Sequence, residues 1–167
     1  MLIPKTKEKI LKIFFLNPYV PLYVREVARK TDISTQNAHK YLLDLAEVGF
    51  LERKRENNQV FYKPKMDNPF LIKFFELFEI ERREAVRAKK KKLRPRIEKL
   101  MEKTDRKADF ALLYGDEVMI VSDKASIEGA ISTSEFQKKV KDPNFLNDLM
   151  KKRVVAFGES RFWEAIR

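Results

Sequence analysis

The chain has 167 residues, 44% apolar and 37% charged, with 36 Lys/Arg against 25 Asp/Glu for a net charge of +11. That is enough for one ordinary domain or two small ones, and the apolar content excludes a wholly disordered chain. With no cysteine, disulfides and thiolate metal sites are excluded; the single histidine argues against a zinc site, and no metal or other cofactor is expected.

The start, Met1-Leu2-Ile3-Pro4-Lys5, has no apolar h-region, so no signal peptide is expected. Runs such as Ile13-Phe14-Phe15-Leu16 are too short to span a membrane. The expectation is a cytoplasmic protein with no membrane partner. Charge is unevenly placed: +6 over residues 1–66, +5 over 67–110 and zero over 111–167. A polyanion partner should therefore meet the first two thirds. A charge-rich, heat-stable surface is the other reading of the same composition.

In chain order, Thr6 to Leu16 carries apolar residues at helical spacing, and Asn17-Pro18 ends it. Tyr19 to Leu22 reads as short and extended. Tyr23 to Thr31 reads as a second helix with Val24, Val27 and Ala28 inward. Asp32-Ile33-Ser34 is a tight turn, and Ser34 stands where an N-cap belongs. The third helix is predicted from Thr35 to about Val48, with Ala38, Tyr41, Leu42 and Leu45 as one buried stripe and Gly49 as its C′ glycine. Phe50 to Arg55 and Gln59 to Lys63 read as strands around Glu56-Asn57-Asn58, a β-hairpin.

Residues 68–104 read as helical, interrupted at Pro95. Phe70, Leu71, Phe74, Phe75, Leu77 and Phe78 crowd more than one helix face and call for a partner, either a second copy of the chain or the rest of the same chain. The basic run Arg82 to Arg96, including Lys89–Lys92, either meets a DNA backbone or stays solvated. Strands are predicted at 110–114, 118–121 and 154–157, helices at 132–140 and 144–151, and a last short helix holds Phe162, Trp163 and Ile166. The fold class expected is α+β, with segments 1–66, 67–107 and 108–167.

Reading duplex sequence takes a rigid helix in the major groove with polar side chains at its N-terminal end. The third helix offers Thr35, Gln36, Asn37, His39 and Lys40 opposite its apolar stripe. Gln and Asn pair bidentately with adenine, Thr meets a thymine methyl, and Lys reaches phosphate or guanine. The hairpin adds Arg53, Lys54, Arg55, Asn58 and Lys63, residue types favoured on the backbone or in the minor groove. A solvated helix face and a protein-binding module are the rival readings.

Over residues 5–65 the chain resembles the winged helix-turn-helix of ArsR/MarR-type transcriptional regulators. The resemblance is carried by Arg25-Glu26-Val27-Ala28, Ile33-Ser34, Leu42, Leu45 and Gly49, and Val60-Phe61-Tyr62. It implies Thr35, Gln36, Asn37 and Lys40 as recognition positions, the hairpin as a wing, and a homodimer on double-stranded DNA. Metal sensing of the ArsR kind does not carry over, because the cysteines are missing.

Over roughly residues 108–166, "ADFALLYGD", "VMIVSD" and "FLNDLMKKRVVAFGESRFWEAI" are similar to small archaeal nucleotidyltransferase-like domains fused behind a winged helix; the preceding "FYKPKMDNPF" fits such fusions. That resemblance implies a Gly-Ser turn and a magnesium-binding Asp-x-Asp pair. Here Gly115-Asp116 stands where Gly-Ser would be, and Asp116, Glu117 and Asp123 have the wrong spacing. The expectation is a domain without enzymatic activity behind a DNA-binding regulator. The alternatives are a nucleotidyltransferase, and an adaptor that recruits a basal transcription factor or RNA polymerase through the neutral tail.

Overall fold

The computed structural model describes residues 3–89, 92–104, 107–124 and 127–167. The fold is α+β, as expected, and divides into two compact units, Met1–Phe75 and Glu76–Arg167. Lys90 and Lys91 of the basic run lie outside the described residues. Among the described residues no helix is long and apolar enough to cross a membrane.

The first unit runs α1 (Lys5–Leu16), β1 (Leu22–Tyr23), α2 (Val24–Thr31), α3 (Thr35–Glu47), β2 (Leu51–Glu56), β3 (Gln59–Pro64) and the start of α4 (Pro69–Lys89). The helical stripes bury as their spacing requires: Ile10, Leu11 and Phe14 from α1, Val27 from α2, and Ala38, Leu42 and Leu45 from α3 are 0–2% exposed. Asp32, left-handed at φ 56°, ends α2 and turns the chain towards α3. Gly49 at φ +76° ends α3 in a Schellman motif, its amide on the Ala46 carbonyl and the Phe50 amide on the Leu45 carbonyl.

Leu22, expected only to be extended, and Tyr23, expected to open the second helix, instead form a strand that completes a three-stranded antiparallel sheet in the order β1-β3-β2. Two residues are too few for periodicity to distinguish a strand from a loop. The β2–β3 register pairs Leu51 with Pro64, Arg53 with Tyr62 and Glu56 with Gln59. Asn57 and Asn58, at φ 47° and 61°, make the two-residue turn.

Asn68 fixes the start of α4. Its Oδ1 accepts from the Phe70 and Leu71 amides at 2.9 and 3.1 Å, and its Nδ2 donates to the Gly49 carbonyl at 2.9 Å. Leu71 and Phe75 then enter the first unit's own core, Phe75 meeting Phe15 edge-on at 5.7 Å, while Phe74 meets Phe50 at 5.6 Å.

The second unit holds the rest of α4, α5 (Arg94–Thr104), β4 (Phe110–Tyr114), β5 (Glu117–Val121), α6 (Thr133–Val140), α7 (Pro143–Lys152), β6 (Arg153–Phe157) and α8 (Glu159–Ile166). Pro95 falls in the first turn of α5, where a missing amide costs no helical hydrogen bond. The sheet order is β5-β4-β6, all antiparallel, with a register shift between Ala111 and Leu112. Ala111 and Leu113 pack with Ile97 and Leu100 of α5. Phe110, on the opposite face, meets Phe136 of α6 and Phe162 of α8 at 5.0 and 5.7 Å.

Candidate nucleic-acid interface

Helix α3 begins where Ser34 accepts a hydrogen bond from the Asn37 amide at 3.2 Å, the expected N-cap. The cap fixes the first turn and leaves Thr35, Gln36, Asn37, His39 and Lys40 exposed, while Ala38 and Leu42 hold the opposite face in the core. The helix N-terminus adds partial positive charge at that end. Asp44, further along, is bound by Lys7 of α1 at 2.8 Å, so the acidic residue nearest Lys40 on this helix is already neutralised.

The hairpin residues divide by the pleat, because residues directly opposite in an antiparallel pair share a face. Leu51, Arg53 and Arg55 lie with Pro64, Tyr62 and Val60. Leu51, Tyr62 and Pro64 of that set are buried, so this is the face that covers the helices, and Arg53 and Arg55 extend from it towards the turn, exposed. Neither arginine has a carboxylate partner among the described residues. Burial pushes the Tyr62 phenol above its ordinary range, and the neighbouring Arg53 works against that shift.

Glu52, Lys54 and Glu56 lie on the other face with Lys63, Phe61 and Gln59. Here both lysines are paired: Lys54 with Glu56, and Lys63 with Glu52 at 3.1 Å. Hydrogen bonding to Glu56 raises the Lys54 ammonium above its ordinary range. Phe61 meets Tyr23 edge-on at 6.4 Å, and a groove of about 380 Å³ runs along this face past Pro21.

Two features escaped sequence reasoning. Arg25, exposed in the first turn of α2, lines a cleft with Tyr23, Asn58 and Gln59 between that helix and the hairpin turn. Its signal was a basic residue at the start of the second helix. The division of the hairpin cations needed the register, which composition does not supply.

Part of the basic run is engaged within the second unit, while Lys89, Lys92 and Arg94 are exposed, as the solvated reading expects. Arg82 donates to the Met150 and Lys151 carbonyls, and Arg83 to the Ala156 carbonyl and Glu159. Arg87 and Arg94 both bind Glu98, and Arg96 binds Asp116. Arg82 and Arg83 thereby tie α4 to the end of α7 and to β6, whereas the pairs of Arg94 and Arg96 are exposed. Of the residues expected at a dimer contact, Leu71, Phe75 and Phe78 are buried within the chain, Phe74 is half-buried, and Phe70 and Leu77 are 71% and 39% exposed.

The carboxylates considered for metal chemistry do not converge. Asp116 meets Arg96, Glu117 is exposed, and Asp123 accepts from the Thr133 amide at 2.8 Å. Among the described residues no group of three or more His, Cys, Asp or Glu is arranged to hold a metal.

A family model described as "Family of unknown function (DUF7342)" matches residues 19–115. The chain belongs to DUF7342. The DUF7342 match takes in α2, α3, the hairpin, α4, α5 and strand β4, so it contains the whole exposed polar surface just described. None of the curated proteins matches the sequence. Among solved structures, the chain is similar at 26% identity to Sso10a-2, a DNA-binding protein from Sulfolobus solfataricus, over 56% of this chain and 95% of that one. The TM-score is 0.36, too low to show a shared fold.

Proposed function

We propose that this chain is a sequence-specific, double-stranded-DNA-binding transcription regulator of the winged-helix kind, with α3 as recognition helix and β2–β3 as wing. The observation that carries this reading is the Ser34-capped first turn of α3. It presents Thr35, Gln36, Asn37, His39 and Lys40 together to solvent, in the same unit as a hairpin whose exposed Arg53 and Arg55 have no carboxylate partner among the described residues. A capped helix with amides and a lysine at its N-terminal end fits the major groove, and arginines on an adjacent hairpin fit the phosphates that flank it.

The second unit is read as non-catalytic, because Asp116 and Asp123 are engaged in holding Arg96 and the start of α6. It is the part through which a basal transcription factor or RNA polymerase would be recruited. A second copy of the chain would meet α4 through Phe70 and Leu77, the exposed members of its apolar set.

The test is binding to duplex DNA as salt is raised. Log affinity should fall linearly with log salt between about 50 and 200 mM, with a slope of about −0.9 for each phosphate neutralised. Selection from a random duplex pool should return a discrete motif. A chain that binds no duplex, or binds without salt dependence, would overturn the reading.

A further inference from the structure

The hairpin of the candidate interface carries four cations, Arg53, Lys54, Arg55 and Lys63, but only part of that charge is available. Arg53 and Arg55 share the face with Leu51 and Tyr62, and neither meets a carboxylate among the described residues. Lys54 and Lys63 share the opposite face with Glu56 and Glu52, at cross-strand or same-face positions that bring the charges into contact.

We infer that the hairpin is electrostatically two-sided: Arg53 and Arg55 are its phosphate contacts, and Glu52 and Glu56 neutralise Lys63 and Lys54 and hold the outer face off the nucleic acid. This rests on the DNA-binding reading above.

The physical reason lies in net charge rather than in the strength of either ion pair. Exposed pairs of this kind are weak, and either one opens readily. A carboxylate freed by opening stays within a few ångströms of its lysine, so a phosphate approaching the lysine also approaches the carboxylate. The outer face therefore presents no net charge whether its pairs are open or closed. Counterion release needs a cation that neutralises phosphate without bringing an anion beside it. Arg53 and Arg55 meet that condition, and Lys54 and Lys63 do not. Alternation along β2 places the two kinds of cation on opposite faces, so one duplex laid against the arginine face is turned away from the acidic residues. The arrangement also fixes which side of the hairpin faces a duplex, which four unpaired cations would leave undetermined.

The experiment compares salt dependence of duplex binding in the full chain and in charge-matched variants. Arg53→Gln and Arg55→Gln should each reduce the log–log slope by about 0.9, the contribution of one phosphate contact. The double variants Lys54→Gln/Glu56→Gln and Lys63→Gln/Glu52→Gln remove a pair without changing net charge. Both should keep the wild-type affinity and slope. Glu56→Gln alone should tighten binding and steepen the slope. Double variants that lose as much slope as the arginine variants overturn the two-sided hairpin and leave DNA binding intact. A wild-type chain that binds no duplex overturns both.

Discussion

Arg153, the first residue of β6, and Glu79 of α4 form an ion pair with both side chains fully buried, Nε donating to Oε1 at 2.6 Å. The guanidinium also donates to the Met150 carbonyl and lies 5.4 and 5.3 Å from the ring centroids of Phe162 and Trp163. Burial pushes the Glu79 carboxyl up, and Arg153 works against that shift. Among the described residues Glu79 Oε2 has no hydrogen-bond partner. The pair thus takes two charges out of water and recovers part of that cost through the contacts of Nε and Nη2 with Glu79 Oε1, the bond to the Met150 carbonyl and two aromatic faces.

Breaking this pair from one side should therefore be severe. Glu79→Ala leaves a buried guanidinium without its carboxylate and is expected to cost about 3–5 kcal/mol, read from chemical denaturation. Replacing both partners, Glu79→Leu with Arg153→Met, should cost much less than either single change. Equal losses in the single and double variants would show that packing, and not uncompensated charge, sets the effect.

Gly158 caps α8 at φ +77°, and a Cβ there would lie 2.3 Å from the Asp109 carbonyl oxygen and 2.7 Å from Phe110 Cα. Gly158→Ala combines left-handed strain with a backbone clash and should cost about 2–5 kcal/mol. Gly115, at φ +59° with nothing within 4 Å, is the control and should lose only the strain, about 1–2 kcal/mol. Melting curves of the two variants measure the difference.

Asn68 uses both ends of its amide, capping α4 and holding the Gly49 carbonyl. Asn68→Ala should lose about 0.5–2 kcal/mol. Asn68→Asp keeps the acceptor for the Phe70 and Leu71 amides but loses the donor, so it should fall between wild type and alanine. An aspartate variant as weak as alanine would place the effect on the Gly49 bond alone.

Serine 132 and Glu135 form a capping box at the start of α6: the Glu135 amide donates to Ser132 Oγ at 3.2 Å, and the Ser132 amide donates to Glu135 Oε2 at 2.8 Å. The Ser132 amide, with the Ser132 hydroxyl donating to the same Oε2 at 3.0 Å, holds the Glu135 carboxyl below its ordinary value. A folded-state value below the unfolded one gives stability that is present above the unfolded value of 4.5 and is lost as pH falls through the folded one. Glu135→Gln should flatten that part of the acid-unfolding profile. An unchanged profile would remove Glu135 from the acid response.

Much of this architecture was legible because the elements bury one clear stripe each. Ile10, Phe14, Leu42 and Leu45 recur at helical spacing, and Ser34 and Gly49 mark the ends of α3. The tail strands were legible for a different reason: β4 is apolar on both faces and fits only between covering helices. Charge was the harder signal. Arg82, Arg83 and Arg153 look like any surface cations in the sequence, and only tertiary structure brings carbonyls, Glu159 and Glu79 to them. The same holds for the hairpin, where a string of basic residues resolves into lysines that meet a carboxylate and arginines that meet none among the described residues, once the register assigns each to a face.

The last prediction concerns how sequence would be read. Gln36 is the second residue of α3, exposed, and one turn before Lys40. A side-chain amide at that position can donate and accept in one plane, the geometry that matches adenine. Gln36→Ala should cost about 1–3 kcal/mol on the motif the wild type selects, with little change on random duplex. Lys40→Gln, removing a charge instead, should weaken both and lower the salt slope by about 0.9 if it meets phosphate. Competition titrations against random duplex separate the two cases. If Gln36→Ala weakens motif and random DNA equally, direct readout by this residue is wrong, and α3 contributes position and charge without reading bases.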